Sequence, residues 1–329
     1  MDQRLDALER WLGSQAGLGR FTLAPASADA SFRRYFRVFL DDGGTLIAMD
    51  APPEKENCSP FIDVTRRLEA TGLTVPHIHA ENREAGFLLL DDLGATDYLQ
   101  RLDDTTAERL YGAAIDALLR LQTADTTALP HYDARLLRTE LDLFTHWFLD
   151  RHLGVTLDHV QQKTIEAVFA ALIDNALAQP RVFVHRDYHS RNLMVTETAP
   201  PGIIDYQDAV LGPVSYDLVS LLRDCYIDWP DDRVDGWMQR FLDAAHDRGR
   251  LGDVTPARFR HWFDLMGVQR HLKAIGIFAR LHHRDGKARY LGDIPRTLGY
   301  VIAIGDRYPA TRPLVTLLQQ LDIPARVAA

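Results

Sequence analysis

Residues 181–208, RVFVHRDYHSRNLMVTETAPPGIIDYQD, break a chain that otherwise reads as helical from residue 94 onward. Val182-Phe183-Val184, Leu193-Met194-Val195 and Ile203-Ile204-Asp205 are short apolar runs of strand length, separated by polar turns. His185-Arg186-Asp187 follows the first run as it leaves the core, and Asn192 stands five residues after Asp187. Residues 196–202 form a polar, proline-bearing turn. Chain reversal between the runs predicts a small β insert with Asp187, Asn192 and Asp205 at one end. Two carboxylates and an amide without a nearby lysine are a costly cluster unless a cation joins them, and a hard divalent cation such as Mg2+ prefers these oxygen ligands. Asn192 and Asp205 can then hold the metal, which leaves Asp187 to orient a hydroxyl and accept its proton. Phosphoryl transfer from ATP needs that division of labour.

Outward from the insert, the periodicity predicts helices over 104–122, 135–152, 157–178, 231–247, 256–283 and 310–321. Tyr216-Asp217-Leu218-Val219 opens another helix, with an acid in its first turn. The first ninety residues differ. Leu5, Leu8, Trp11 and Leu12 make a short amphipathic helix over 2–13. FTLAPA, FRRYFRVFL and TLIAMDA then read as strands, with Asp41-Asp42-Gly43-Gly44 as a hairpin turn. Ser59-Pro60 reads as a capped helix start, and that helix runs to about Glu69. A short strand near 75–79 and a strong one at 86–90 complete the set. The expectation is an α+β fold of two lobes: a small β-rich N-lobe over 1–92, a linker near 91–96, and a large helical C-lobe over 93–329.

Composition narrows the class. Of 329 residues, 37 are Lys or Arg and 46 are Asp or Glu, a formal charge of −9 that disfavours binding to nucleic acid through its phosphates. With 46% hydrophobic and 25% charged residues there is ample material for a core. The two cysteines, Cys58 and Cys225, form neither a disulfide framework nor a CxxC site, which fits a reducing compartment. MDQRLDALERWLGSQ lacks a signal-peptide core, and no apolar run approaches the ~18 residues of a membrane span. A cytoplasmic monomer that binds neither membrane nor nucleic acid is expected.

HRDxxxxN followed by a metal-binding Asp is the protein-kinase catalytic signature, and here it reads His185 to Asn192 followed by Ile204-Asp205-Tyr206-Gln207-Asp208. With His189 two residues after the Asp, the pattern resembles the aminoglycoside and choline kinase family, as does Leu211-Gly212-Pro213-Val214-Ser215-Tyr216-Asp217-Leu218. The resemblance spans nearly the whole chain and implies a protein-kinase-like fold that uses ATP and Mg2+. It makes Asp187 the base, Asn192 and Asp205 the metal ligands, and Asp217 a brace for the catalytic loop. Residues 27–38, SADASFRRYFRV, sit where the family's phosphate-covering hairpin falls, which implies nucleotide contacts from Ser27, Ser31, Phe32 and Arg33. LLLDDLG, residues 88–94, resembles the adenine-binding hinge and implicates Leu90, Asp91 and Leu93. Residues 27–37, 48–53, 269–276 and 290–296 are most similar to the bacterial anomeric amino-sugar kinases. That implies phosphorylation of N-acetylmuramate or N-acetylglucosamine at C1 in peptidoglycan recycling, with a small sugar as the partner. A kinase of another small alcohol, such as an aminoglycoside, and a nucleotide-binding pseudokinase acting through a partner are the alternatives.

Two features depart from the kinase pattern. Strand three, TLIAMDAP, has Met49 or Asp50 where a phosphate-binding lysine is expected, so Arg33, Arg34 or Lys55 is a candidate substitute and Glu69 a relic of the lost ion pair. The phosphate loop has no glycine. Asp208 is a candidate neighbour of the metal or the sugar hydroxyls. Arg270 and Lys273 share one face of a mostly apolar helix. Cations there need a partner: either the lactyl carboxylate of a muramic sugar or a nearby acid. His185 and His189 lack a third ligand for zinc, and His185 reads as a structural residue beneath the loop.

Overall fold

The computed structural model describes residues 2–27, 32–196 and 200–328. Its strands, in chain order, are β1 (Phe21–Ser27), β2 (Arg34–Leu40), β3 (Thr45–Asp50), β4 (Ile78–Asn82), β5 (Phe87–Asp91), β6 (Arg181–Val184), β7 (Leu193–Met194), β8 (Gly202–Ile203) and β9 (Val210–Pro213). The helices are α1 (Gln3–Ser14), α2 (Ser59–Glu69), α3 (Ala107–Leu121), α4 (Ala134–Leu143), α5 (His159–Leu177), α6 (Tyr216–Leu222), α7 (Asp231–Asp247), α8 (Pro256–Asp285), α9 (Ile294–Gly305), α10 (Arg312–Gln320) and α11 (Ile323–Ala328). They form two compact units: Met1–Arg101 with Asn192–Asp208, and Leu102–Arg191 with Ala209–Ala329.

In the first unit, β1-β2-β3-β5-β4 is an antiparallel sheet. Alternation places Phe36, Val38, Ala48, Phe87 and Leu89 on one face, where Leu8, Trp11 and Leu12 of α1 cover them. The Asp2 carboxylate caps α1 by accepting the Arg4 and Leu5 N–H groups. At α2 the expected cap is corrected. Ser59 is already helical, and the Asn57 side chain accepts the Ser59 N–H at 2.9 Å. The expected strand near 75–79 lies a few residues later, at β4.

The second unit is built around α8, 30 residues long and buried on most sides. Leu272, Ile275 and Ala279 of α8 share a core with Phe144, Phe148, Phe169 and Leu172. After α4 the helix widens into a π-helical stretch over Phe144–His152. Gly276 makes this approach possible, because a Cβ there would lie 2.4 Å from the Leu143 carbonyl carbon. Helices α9 and α11 were not foreseen in the sequence.

The β insert is also corrected. Its first run does not pair with the other two: β6 pairs antiparallel with β9 in the second unit, whereas β7 pairs with β8 in the first. Among the described residues, no helix is long and apolar enough to cross a membrane.

Candidate active site

Two buried acids at the ends of α6 hold the loop that follows β6. Phe183 and Val184 anchor β6 in the core, and the chain then turns sharply at Arg186, whose φ is 78°. The amides exposed by this turn need acceptors. Asp217, in the first turn of α6, takes the His185 N–H at 2.7 Å and the Arg186 N–H at 3.0 Å. Asp224, just beyond α6, takes the Ser190 N–H at 2.9 Å and the Ser190 hydroxyl. Between them, the buried His185 ring accepts the Asp187 N–H through Nδ1 at 3.2 Å, and the Tyr188 hydroxyl donates to the Ala114 carbonyl at 2.8 Å. His185 and Asp217 thus have the structural roles expected of them. Burial pushes the Asp217 carboxyl up to about 7 despite its two N–H donors.

Asp187 lies among cations. Burial alone would raise its carboxyl, but Lys273 foremost, with Arg270 and Arg186, holds it down at about 2, so it stays ionised at neutral pH. The cations are balanced in turn by Glu140. Lys273 Nζ is 3.1 Å from Glu140 Oε1 and donates to the Tyr216 hydroxyl at 3.0 Å. Arg186 pairs with the same carboxylate, which also accepts from the Tyr132 hydroxyl and, at 3.4 Å, from Gln269 Nε2. Burial opposes the charge on both Glu140 and Lys273, yet the charges and hydrogen bonds around each together outweigh it: Glu140, with Lys273 and Arg186 beside it, is held below its ordinary value, and Lys273, with Glu140 foremost, above.

These groups open onto a cleft in the same unit. Asp187, His189, Tyr216, Arg270 and Lys273 supply its polar wall, and Cys225, Tyr226, Ala274, Ile277 and Phe278 the rest. The His189 ring lies edge-on to Tyr226 at 5.3 Å, its Nδ1 is buried without a hydrogen bond, and burial lowers its pKa so that it is neutral. The structure therefore brings together three predicted residues, Asp187, Arg270 and Lys273.

The predicted metal pair lies in the first unit. Asn192 Nδ2 is 3.3 Å from Asp205 Oδ2, and Gln207 Nε2 donates to Asp205 Oδ1 at 2.8 Å. Asp205 has a φ of 65°, a strained conformation for a residue with a side chain. Gln207 Oε1 is buried with no hydrogen bond. One carboxylate with amide oxygens nearby is the donor set that Mg2+ takes when phosphates complete its shell. No group of three His, Cys, Asp or Glu suited to a metal occurs among the described residues. Asp208 is exposed in the following turn.

The predicted nucleotide residues also lie in the first unit. Ser31 falls outside the described residues, and Ser27 ends β1. Arg33 pairs with Glu56 at 3.3 Å, and Lys55 Nζ sits 4.4 Å from the centre of the exposed Phe32 ring. Arg34 is engaged elsewhere. It joins Arg4 on the fully buried Asp50, and it also pairs with Asp2. Glu69 pairs with His77 at 2.7 Å. In the segment predicted as a hinge, Leu90 is buried, the Asp91 N–H donates to the His77 carbonyl at 3.0 Å, and Leu93 makes no hydrogen bond with the described residues.

The sequence reasoning missed Glu140, Asp224 and the cleft residues Tyr216, Cys225, Tyr226 and Phe278. Glu140 carried a signal: it interrupts the apolar stripe of Leu137, Leu141 and Phe144, where an acid is buried only with partners.

The model of the phosphotransferase enzyme family matches residues 22–261. The chain is 46% identical to the N-acetylmuramate/N-acetylglucosamine kinase of Pseudomonas putida over 99% of its own length and 98% of the relative's. It is 41% identical to the Neisseria meningitidis protein of the same name, over 97% and 96%. Among solved structures, a choline/ethanolamine kinase family protein from Mesorhizobium loti superposes with a TM-score of 0.65 at 13% identity, covering 97% of this chain and 100% of that one. An ADP-bound aminoglycoside phosphotransferase superposes with a TM-score of 0.58 at 14% identity, covering 91% and 98%.

Proposed function

Because the chain belongs to the phosphotransferase enzyme family, we propose that it is an ATP-dependent kinase of an amino sugar, N-acetylmuramate or N-acetylglucosamine. In this reading it phosphorylates the anomeric C1 hydroxyl, acts in the cytoplasm, and serves the recycling of peptidoglycan sugars. The observation that carries the reading is the ionised Asp187 on a cleft with mixed polar and aromatic walls, the lining that suits a sugar ring. Relatives named for these sugars, matched over nearly the whole chain, support the substrate class.

Asp187 orients the sugar hydroxyl and takes its proton. The freed oxygen bonds to the γ-phosphorus of ATP, the bond from that phosphorus to the β–γ bridging oxygen breaks, and ADP leaves. A carboxylate held near 2 is a weak base. A hemiacetal hydroxyl, more acidic than an ordinary alcohol, compensates for that weakness. Asn192 and Asp205, with Gln207 Oε1 at hand, are the residues that would hold Mg2+, which when bound neutralises phosphate charge. Ser27, Ser31, Phe32 and Arg33, and the hinge residues Leu90, Asp91 and Leu93, are the proposed nucleotide contacts. Leu93 is the hinge residue whose backbone groups are uncommitted among the described residues.

The test is ATP consumption with each amino sugar and with aminoglycosides, followed by phosphorus NMR of the product. An anomeric phosphate is expected from both amino sugars. Phosphorylation of aminoglycosides alone, or of no added alcohol, would overturn the assignment.

A further inference from the structure

We propose that Arg270 is the specificity residue for an anionic sugar: its guanidinium receives the carboxylate of the lactyl ether that distinguishes N-acetylmuramate from N-acetylglucosamine, and Lys273 does not. The proposal rests on the amino-sugar reading above.

Both cations project from α8 and both side chains are about nine-tenths buried. A buried cation without a counter-charge is costly. Lys273 has its counter-charge in Glu140, 3.1 Å away, and donates to the Tyr216 hydroxyl at 3.0 Å. Arg223, as deeply buried, has Asp264 at 2.6 Å. Arg270 differs. Among the described residues no carboxylate lies within ion-pair distance of it, and its one hydrogen bond runs from Nη1 to the Cys225 thiol at 3.6 Å. Asp187 and Asp224 lend it favourable field at longer range. Asp224 is already committed to Ser190 and to the Tyr226 N–H.

The guanidinium lines the cleft, so an anion arriving there meets a planar donor fork that fits a carboxylate. Ala274, Ile277 and Phe278 line the same cleft, and a pair formed beside apolar side chains is stronger than one on an open surface. The two sugars are otherwise the same ring, with the same C1 hydroxyl and acetamido group. A residue that reads the lactyl carboxylate therefore separates them, whereas one that supports Asp187 affects both alike.

The experiment measures kcat/KM for N-acetylmuramate and N-acetylglucosamine in the wild type, Arg270→Gln and Lys273→Met, and for N-acetylmuramate methyl ester in the wild type. The loss in Arg270→Gln is expected to be about ten- to a hundredfold larger on N-acetylmuramate than on N-acetylglucosamine, the size of one charge-assisted hydrogen bond. The methyl ester, which has lost the charge, should fall behind the free acid by a similar factor. Lys273→Met should lower both sugars by the same factor. Equal losses on both sugars in Arg270→Gln, or an ester used as well as the acid, would overturn the proposal and leave the amino-sugar reading intact. A wild type that phosphorylates neither sugar overturns both. If Arg270→Gln does not fold, the ester comparison decides alone.

Discussion

Lys273 Nζ lies 3.1 Å from Glu140 Oε1, and the same carboxylate pairs with Arg186, so one buried acid balances two of the cations around Asp187. Removing that acid strands both. Glu140→Gln should lose about 3–5 kcal/mol of stability, the usual cost of breaking a buried ion pair from one side. Adding Lys273→Met removes one stranded charge and should recover part of the loss, with a coupling of about 1–3 kcal/mol in the double-mutant cycle. Denaturant unfolding of the four proteins measures this. Additive effects would mean that Glu140 does not organise the cluster.

Asp187→Asn keeps the shape of the side chain and removes the proton acceptor. Turnover should fall by about 10²–10⁴, while nucleotide affinity measured by calorimetry stays near the wild-type value. Near-normal turnover, under conditions where chemistry limits the rate, would rule Asp187 out as the base.

The order of the candidate residues, acid, amide, acid, was legible in residues 181–208 because local spacing alone sets it. The hairpin at residues 41–44 and the helix over 231–247 were legible for a similar reason, since turn residues and a 3.6-residue period act over short range. What the sequence hid was long-range. Nothing in Val182-Phe183-Val184 says that its partner is Val210–Pro213 rather than the run at 193, because a four-residue apolar strand suits several neighbours. Helix α9, IPRTLGYVIAIG, carries no charge beyond its first turn, so its pattern does not separate a buried helix from a buried strand. Lys273 and Arg270 look equivalent on a helical wheel. Only Glu140, 133 residues before Lys273, makes them different.

The strained backbone at Asp205 decides how its role should be tested. With φ at 65°, alanine would add roughly 1–2 kcal/mol of strain, so a loss of activity in Asp205→Ala would mix folding with chemistry. Asparagine tolerates this conformation and keeps the side chain's size. Asp205→Asn should melt near the wild-type temperature, lose most of its activity, and need far more Mg2+ for what remains. Thermal melts and a Mg2+ titration at saturating ATP give both readouts. Normal activity at low Mg2+ would exclude Asp205 as a metal ligand.

The last expectation concerns pH. Burial favours the neutral form of Asp187, and Lys273 is the foremost of the charges that reverse this and hold the carboxyl near 2. Only the ionised form accepts a proton, so in the wild type this group gives no acid limb in kcat/KM across the neutral and mildly acidic range. The sign for stability follows from the same shift. A carboxylate held below its unfolded value of about 3.9 contributes stability above that value, and the contribution is lost as pH falls through about 2. Lys273→Met takes away the main lowering charge, so the Asp187 pKa must rise. An acid limb should then climb toward the assay range, and acid unfolding should begin at higher pH. The measurement is kcat/KM against pH with N-acetylglucosamine, which has no carboxylate of its own to titrate. His189 is the other group in the cleft that could produce such a limb. Burial lowers its pKa, against the opposing pull of Asp224 and Asp187. Superimposable profiles for wild type and Lys273→Met would show that Lys273 does not set the charge on Asp187.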